Sequence, residues 1–170
     1  EAVLSVGRDA RRIDISERAG GHIYAGGIRV LQLTGDSDCE IGVRRDLYVM
    51  DVKEGDFSGS VSADGQVIRA RFDAALSGSI EAASIRLVQV MSGDFTGTVR
   101  ATDGDIYVLD VTEGDSGGIV EADGKLVRAR FGGAFSGVVR AHSISVVQVL
   151  DGAFTGSVET GRRIAADAGI

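Results

Sequence analysis

The chain has 170 residues, 44% hydrophobic and 25% charged, enough for one folded domain with a core and too apolar for gross disorder. Its net charge of −7 argues against nucleic-acid and anionic-membrane partners, and no apolar run approaches the ~18 residues of a membrane helix. One cysteine, Cys39, excludes an intrachain disulfide framework, and 25 glycines without a three-residue period exclude collagen.

Read in chain order, the segments return. Ile28-Arg-Val-Leu-Gln-Leu33 comes back as Ile85-Arg-Leu-Val-Gln-Val90 and Ile144-Ser-Val-Val-Gln-Val149. Asp46-Leu-Tyr-Val-Met-Asp-Val52 comes back as Asp105-Ile-Tyr-Val-Leu-Asp-Val111, and Val67-Ile-Arg-Ala-Arg-Phe72 as Leu126-Val-Arg-Ala-Arg-Phe131, each 59 residues on. A shorter period lies inside this one. Phe57-Ser-Gly-Ser-Val61 is followed by Leu76-Ser-Gly-Ser-Ile80, Phe95-Thr-Gly-Thr-Val99, Ser116-Gly-Gly-Ile-Val120, Phe135-Ser-Gly-Val-Val139 and Phe154-Thr-Gly-Ser-Val158. Their central glycines, Gly59, Gly78, Gly97, Gly118, Gly137 and Gly156, are 19, 19, 21, 19 and 19 residues apart. Gly21-His-Ile-Tyr-Ala25 extends the series towards the N-terminus. Fixed periods of this size mark a repeat architecture.

Within each unit, apolar residues alternate with period 2 and are rich in Val and Ile, which predicts strands. The expected fold is all-β: one parallel β-solenoid over 1–170, about nine coils of ~19 residues, three coils to a long repeat, with long repeats near 1–56, 57–115 and 116–170. The alternative is an antiparallel barrel or sandwich of hairpins turning at Asp64-Gly65, Asp103-Gly104 and Asp123-Gly124. The six glycines are expected at corners where backbones approach closely. Aligning units on these glycines puts Ile68, Ala70, Phe72, Val127, Ala129 and Phe131 inward, because the opposite choice buries four arginines. The same alignment puts Gln89 and Asp110 inward and leaves Val88, Val90, Leu109, Val111, Val147 and Val149 as an exposed stripe for lateral contact.

The stretches Gly78-Ser-Ile-Glu-Ala-Ala-Ser-Ile85, Gly97-Thr-Val-Arg-Ala101 and Gly137-Val-Val-Arg-Ala-His-Ser-Ile144 resemble the bactofilins, bacterial polymer-forming proteins with a β-helical core. The resemblance covers roughly residues 20–160 and departs in the longer core and the three-coil repeat. It implies a structural, self-associating protein, cytoskeletal or at a bacterial cell surface.

Reactive groups are sparse. His22 and His142 lie in distant units without a His-x-x-His or His-Glu spacing, and Cys39 has no nucleophile context, so both histidines read as surface polar residues and Cys39 as a small core residue. Asp51 and Asp110 sit three coils apart, too far for a pair of glycosidase carboxylates, and Asp110 is expected to pair with Arg128 or Arg130. No enzyme activity and no cofactor are expected. One corner gathers Asp36, Asp38, Glu54, Asp56, Asp73, Asp94, Glu113, Asp115 and Asp151, a solvated acidic edge to which Ca²⁺ is the alternative occupant. Ser58 and Ser60, Ser77 and Ser79, Thr96 and Thr98, and Thr155 and Ser157 form two hydroxyl rows, weakly like those of ice-binding solenoids. With no cap helix at either end and a start at Glu1 rather than Met, the expected partner is the chain itself, end to end or laterally, or a longer array from which it was cut. The second expectation is a carbohydrate-binding or carbohydrate-processing β-helix of a surface or secreted protein.

Overall fold

The computed structural model describes residues 3–161. Among them every strand pairing is parallel, so the chain is a β-solenoid and the hairpin alternative falls. Each coil has two main faces. The first face stacks nine four-residue rungs: Val3–Val6, His22–Ala25, Glu40–Val43, 60–63, 79–82, Thr98–Ala101, 119–122, 138–141 and Ser157–Thr160. The second face stacks eight: Ile13–Ser16, Ile28–Thr34, Leu47–Lys53, 67–72, 85–90, Ile106–Val111, 126–131 and 144–149. A single bridging residue closes each coil, in the stack Ala19, Ser37, Phe57, Leu76, Phe95, Ser116, Phe135, Phe154.

The alternating pattern builds the core directly. On the first face Val61, Ile80, Val99, Val120 and Val139 stack inward, with Ala63, Ala82, Ala101, Ala122 and Ala141 beside them. On the second face Leu47, Val67, Ile85, Ile106 and Leu126 form one buried row, and Met50, Ala70, Val88, Leu109 and Ala129 another. Phe72 and Phe131 end their strands against the corner rings Phe57 and Phe135, at centroid distances of 5.4 and 4.3 Å. Removing these stacked aliphatic and aromatic surfaces from water is the main source of stability.

The corner glycines sit where the chain turns from the bridging residue into the first face. A Cβ on Gly78, Gly97 or Gly137 would overlap the carbonyl oxygen of the equivalent glycine one coil earlier. Their role at these three positions is close backbone approach, since none of the three has a positive φ, which is found instead at Gly21, Gly35, Glu54, Gly93, Gly114, Gly152 and Gly161.

The expected inward alignment needs correction. Ala70, Phe72, Ala129 and Phe131 do point inward, but Ile68 and Val127 are only half-buried. Val88, Val90, Leu109 and Val111 are all fully buried, and Val147 and Val149 pack against the core, so these six form no lateral stripe. The cause is corner length. From Ala63 to Val67 the first corner takes four steps, and from Ala82 to Ile85 three, with a register shift at Ala63/Gln66. The second corner compensates, four steps from Phe72 to Leu76 and five from Val90 to Phe95, so a constant 19-residue spacing conceals a one-residue slip of the strand between. A one-residue slip moves every side chain to the other face.

Candidate functional site

Two surfaces result from this stacking. The first is an open polar groove of about 800 Å³ along the first face, lined by Gly20–His22, Asp38, Glu40 and the three hydroxyl–glycine–hydroxyl turns at 58–60, 77–79 and 96–98. Ser58, Ser77 and Thr96 form its exposed row, and Ser60, Ser79 and Thr98 the half-buried one. The glycines between the rows make it concave, because no side chain rises there. At its N-terminal end His22 Nδ1 lies 3.0 Å from Glu40 Oε2, and the Tyr24 hydroxyl donates to Glu40 Oε1 at 2.9 Å. The His22 and Tyr24 rings stack at 5.9 Å. Tyr24 lies over Gly42, where any Cβ would strike the ring.

The second surface is the outside of the second face. Here the outward row reads Gln32, Asp51, Arg71, then Gln89, Asp110, Arg130, then Gln148, one per coil. Arg130 Nε and Nη2 donate to Asp110 Oδ1 and Oδ2 at 2.7 and 2.8 Å, as expected of one of the two arginines named for it; the carboxylate's hydrogen bonds raise the guanidinium pKa further. Asp51 meets Arg69 more loosely, at 3.7 Å, and Arg71 donates to Asp73. Beside this row runs a second outward one, with Val30, Val49, Leu87 and Val108 half-buried, Val146 exposed, and Arg69 and Arg128 interrupting it. An apolar stripe therefore exists, one residue away from the expected one.

The acidic corner is organised rather than merely solvated. Asp36 Oδ1 accepts the Asp56 N–H, Asp56 Oδ1 the Ala75 N–H, Asp94 Oδ1 the Asp115 N–H, and Asp115 Oδ1 the Ala134 N–H. Each carboxylate thus satisfies an amide of the next coil, and each run stops where the third coil has Ala. At the other corner Asp46 and Asp105 likewise accept from Gln66 and Lys125. Among the described residues no three His, Cys, Asp or Glu side chains converge as metal ligands.

A ladder of alternating charge was missed on the first face: Glu81, Arg100, Glu121, Arg140, Glu159. Arg140 bridges Glu121 and Glu159 at 3.1 and 3.3 Å. The signal was available, since each member lies three residues after a corner glycine. His142 is exposed, remote from His22, and Cys39 is buried, its thiol pushed up to about 11 chiefly by desolvation. Comparison with known protein families, curated proteins and solved structures finds no match.

Proposed function

We propose that this chain is a non-enzymatic structural module that associates with copies of itself, a filament subunit or rod-like segment in the manner of the bactofilins it resembles. One observation carries the reading: the outer surface repeats with the solenoid. Tyr48 returns as Tyr107, the Asp51–Arg71 step as Asp110–Arg130, and the Asp46 cap as Asp105, each set three coils on, about 14 Å along the axis. A periodic surface fits a periodic partner, and the chain itself is one. Negative-stain microscopy with light scattering across concentration tests this. Filaments, rafts or a rising mass support it, whereas particles of monomer mass at every concentration overturn it.

A second reading rests on the groove. Its hydroxyl rows and the Asp38, Glu40 and His22 group suit an extended polyhydroxyl chain. Glycan-array binding lost on Thr96→Val with Thr98→Val would support it, and an empty array would remove it.

A further inference from the structure

We infer that the outside of the second face pairs with the same face of a second copy, the two solenoids antiparallel and related by a two-fold axis through the fifth rung. The inference rests on the self-association reading and specifies its geometry. The face is a parallel sheet, and among the described residues nothing covers it over rungs two to eight. Its charges decide the arrangement. Asp51 is on rung three, Arg69 and Arg71 on rung four, Asp110 on rung six, and Arg128 and Arg130 on rung seven.

Two copies lying parallel at equal height bring arginine rungs against arginine rungs. Reversing one copy about rung five brings rung three against rung seven and rung four against rung six. Asp51 then faces Arg130 of the second copy, and Arg71 faces Asp110. Gln89 faces Gln89, Leu87 faces Leu87, and Val30 faces Val146. No aspartate meets an aspartate, and no arginine in the two central rows meets an arginine. Arg86 at the strand bend is the like-charge contact on the axis, and its guanidinium is drawn aside over the Tyr107 ring, 6.0 Å from the centroid. Shifting the copies by three coils keeps the Asp–Arg matching but overlaps fewer rungs.

Seven rungs at ~4.8 Å and four to five residues across give a patch of about 30 by 15 Å. That is a few hundred Å² on each copy, below the roughly 800 Å² of a standard interface, so the pairing is weak and concentration-dependent. Because Asp–Arg contacts set the register, added salt weakens it.

Cysteine cross-linking of the full chain separates the arrangements, and the buried Cys39 does not compete. A single Gln89→Cys, on the axis, cross-links to itself with a short bismaleimide that spans the ~10 Å between facing sheets. A single Val30→Cys does not, but a mixture of Val30→Cys with Val146→Cys does. Leu87→Glu, which sets two carboxylates together on the axis, raises the dissociation constant at least about tenfold in sedimentation equilibrium. Circular dichroism of each variant verifies the fold. Self-cross-linking of Val30→Cys with none from the mixture would mean a parallel pair and overturn the inference. Filaments that form without any Gln89→Cys cross-link also overturn it while leaving self-association standing. A chain that stays monomeric throughout removes both.

Discussion

Arg130 grips Asp110 from the next coil through two parallel hydrogen bonds of 2.7 and 2.8 Å, while three coils earlier the equivalent Asp51 reaches only Arg69, at 3.7 Å. Asp110 is 9% exposed, and its carboxylate depends on that fork. Asp110→Asn should therefore lower stability by about 1.5–3 kcal/mol, the range for a hydrogen bond to a charged group. Asp51→Asn should cost less than about 1 kcal/mol. Urea unfolding midpoints measure both, and equal losses would refute the geometric explanation.

Ser116 is fully buried between Phe95 and Phe135 in the corner stack, and its hydroxyl has no hydrogen-bond partner. An unpaired buried hydroxyl is unfavourable, so Ser116→Ala should stabilise by about 1 kcal/mol. Ser37, its counterpart nearer the N-terminus, donates to the Gly35 carbonyl at 3.3 Å. Ser37→Ala should bring no gain, and thermal melts of the two variants provide the comparison.

A Cβ on Gly97 would overlap the Gly78 carbonyl oxygen, whereas a Cβ on Gly117 meets nothing nearer than Ser136 Oγ at 3.4 Å. Gly97→Ala should cost about 2–3 kcal/mol by forcing neighbouring coils apart. Gly117→Ala should change stability by less than about 0.5 kcal/mol. A tolerated Gly97→Ala would show that the coils can separate locally at little cost.

Cys39 is held neutral by burial, its pKa raised from the ordinary 9.0 to about 11. A group whose folded pKa is raised contributes stability that is complete below the unfolded pKa and lost as pH climbs through the folded one. Stability should thus fall between about pH 9 and pH 11 by more in the wild type than in Cys39→Ala. Native protein at pH 8 should also resist iodoacetamide, which should label it readily in urea.

Asp56 both donates its amide to Asp36 and accepts the Ala75 amide on its own carboxylate. Asp56→Ala strands the Ala75 N–H and should cost about 1 kcal/mol. Asp56→Asn keeps an accepting oxygen without the charge and should equal or exceed the wild type, the more so at low salt. A deficit for Asn as large as for Ala would mean that charge, not the amide contact, holds this corner.

Much of this was legible in the letters. The Phe/Leu–Ser/Thr–Gly motif located the corner, and the period-2 alternation marked strands from Val61 to Ala63 and from Ile80 to Ala82; the second of these positions always falls six positions after the bridging residue, so the buried side repeats from coil to coil. The Asp110–Arg130 pair was within reach for the same reason: parallel stacking brings residues one coil apart together. The capping roles of Asp56 and Asp115 were not legible, since a run of carboxylates looks the same whether it faces water or the amides of the next coil.

Taken alone, the sequence determined that this is an array of ~19-residue β units with glycine at one corner, and the parallel strand pairing of the structure decided for stacked coils over hairpins. Repetition at a fixed period leaves each unit only its neighbours to pack against. Which side chains of the second face point inward was decided only by the tertiary structure. The corner after Ala63 is one residue longer than the corner after Ala82, and the corner before Leu76 is one shorter than that before Phe95, so the repeat length is conserved while the strand between them slips. The coil resolves that ambiguity by burial: inside, Val88 and Leu109 gain apolar contact on every side, and Arg69, Arg71 and Arg130 keep their charges at the surface.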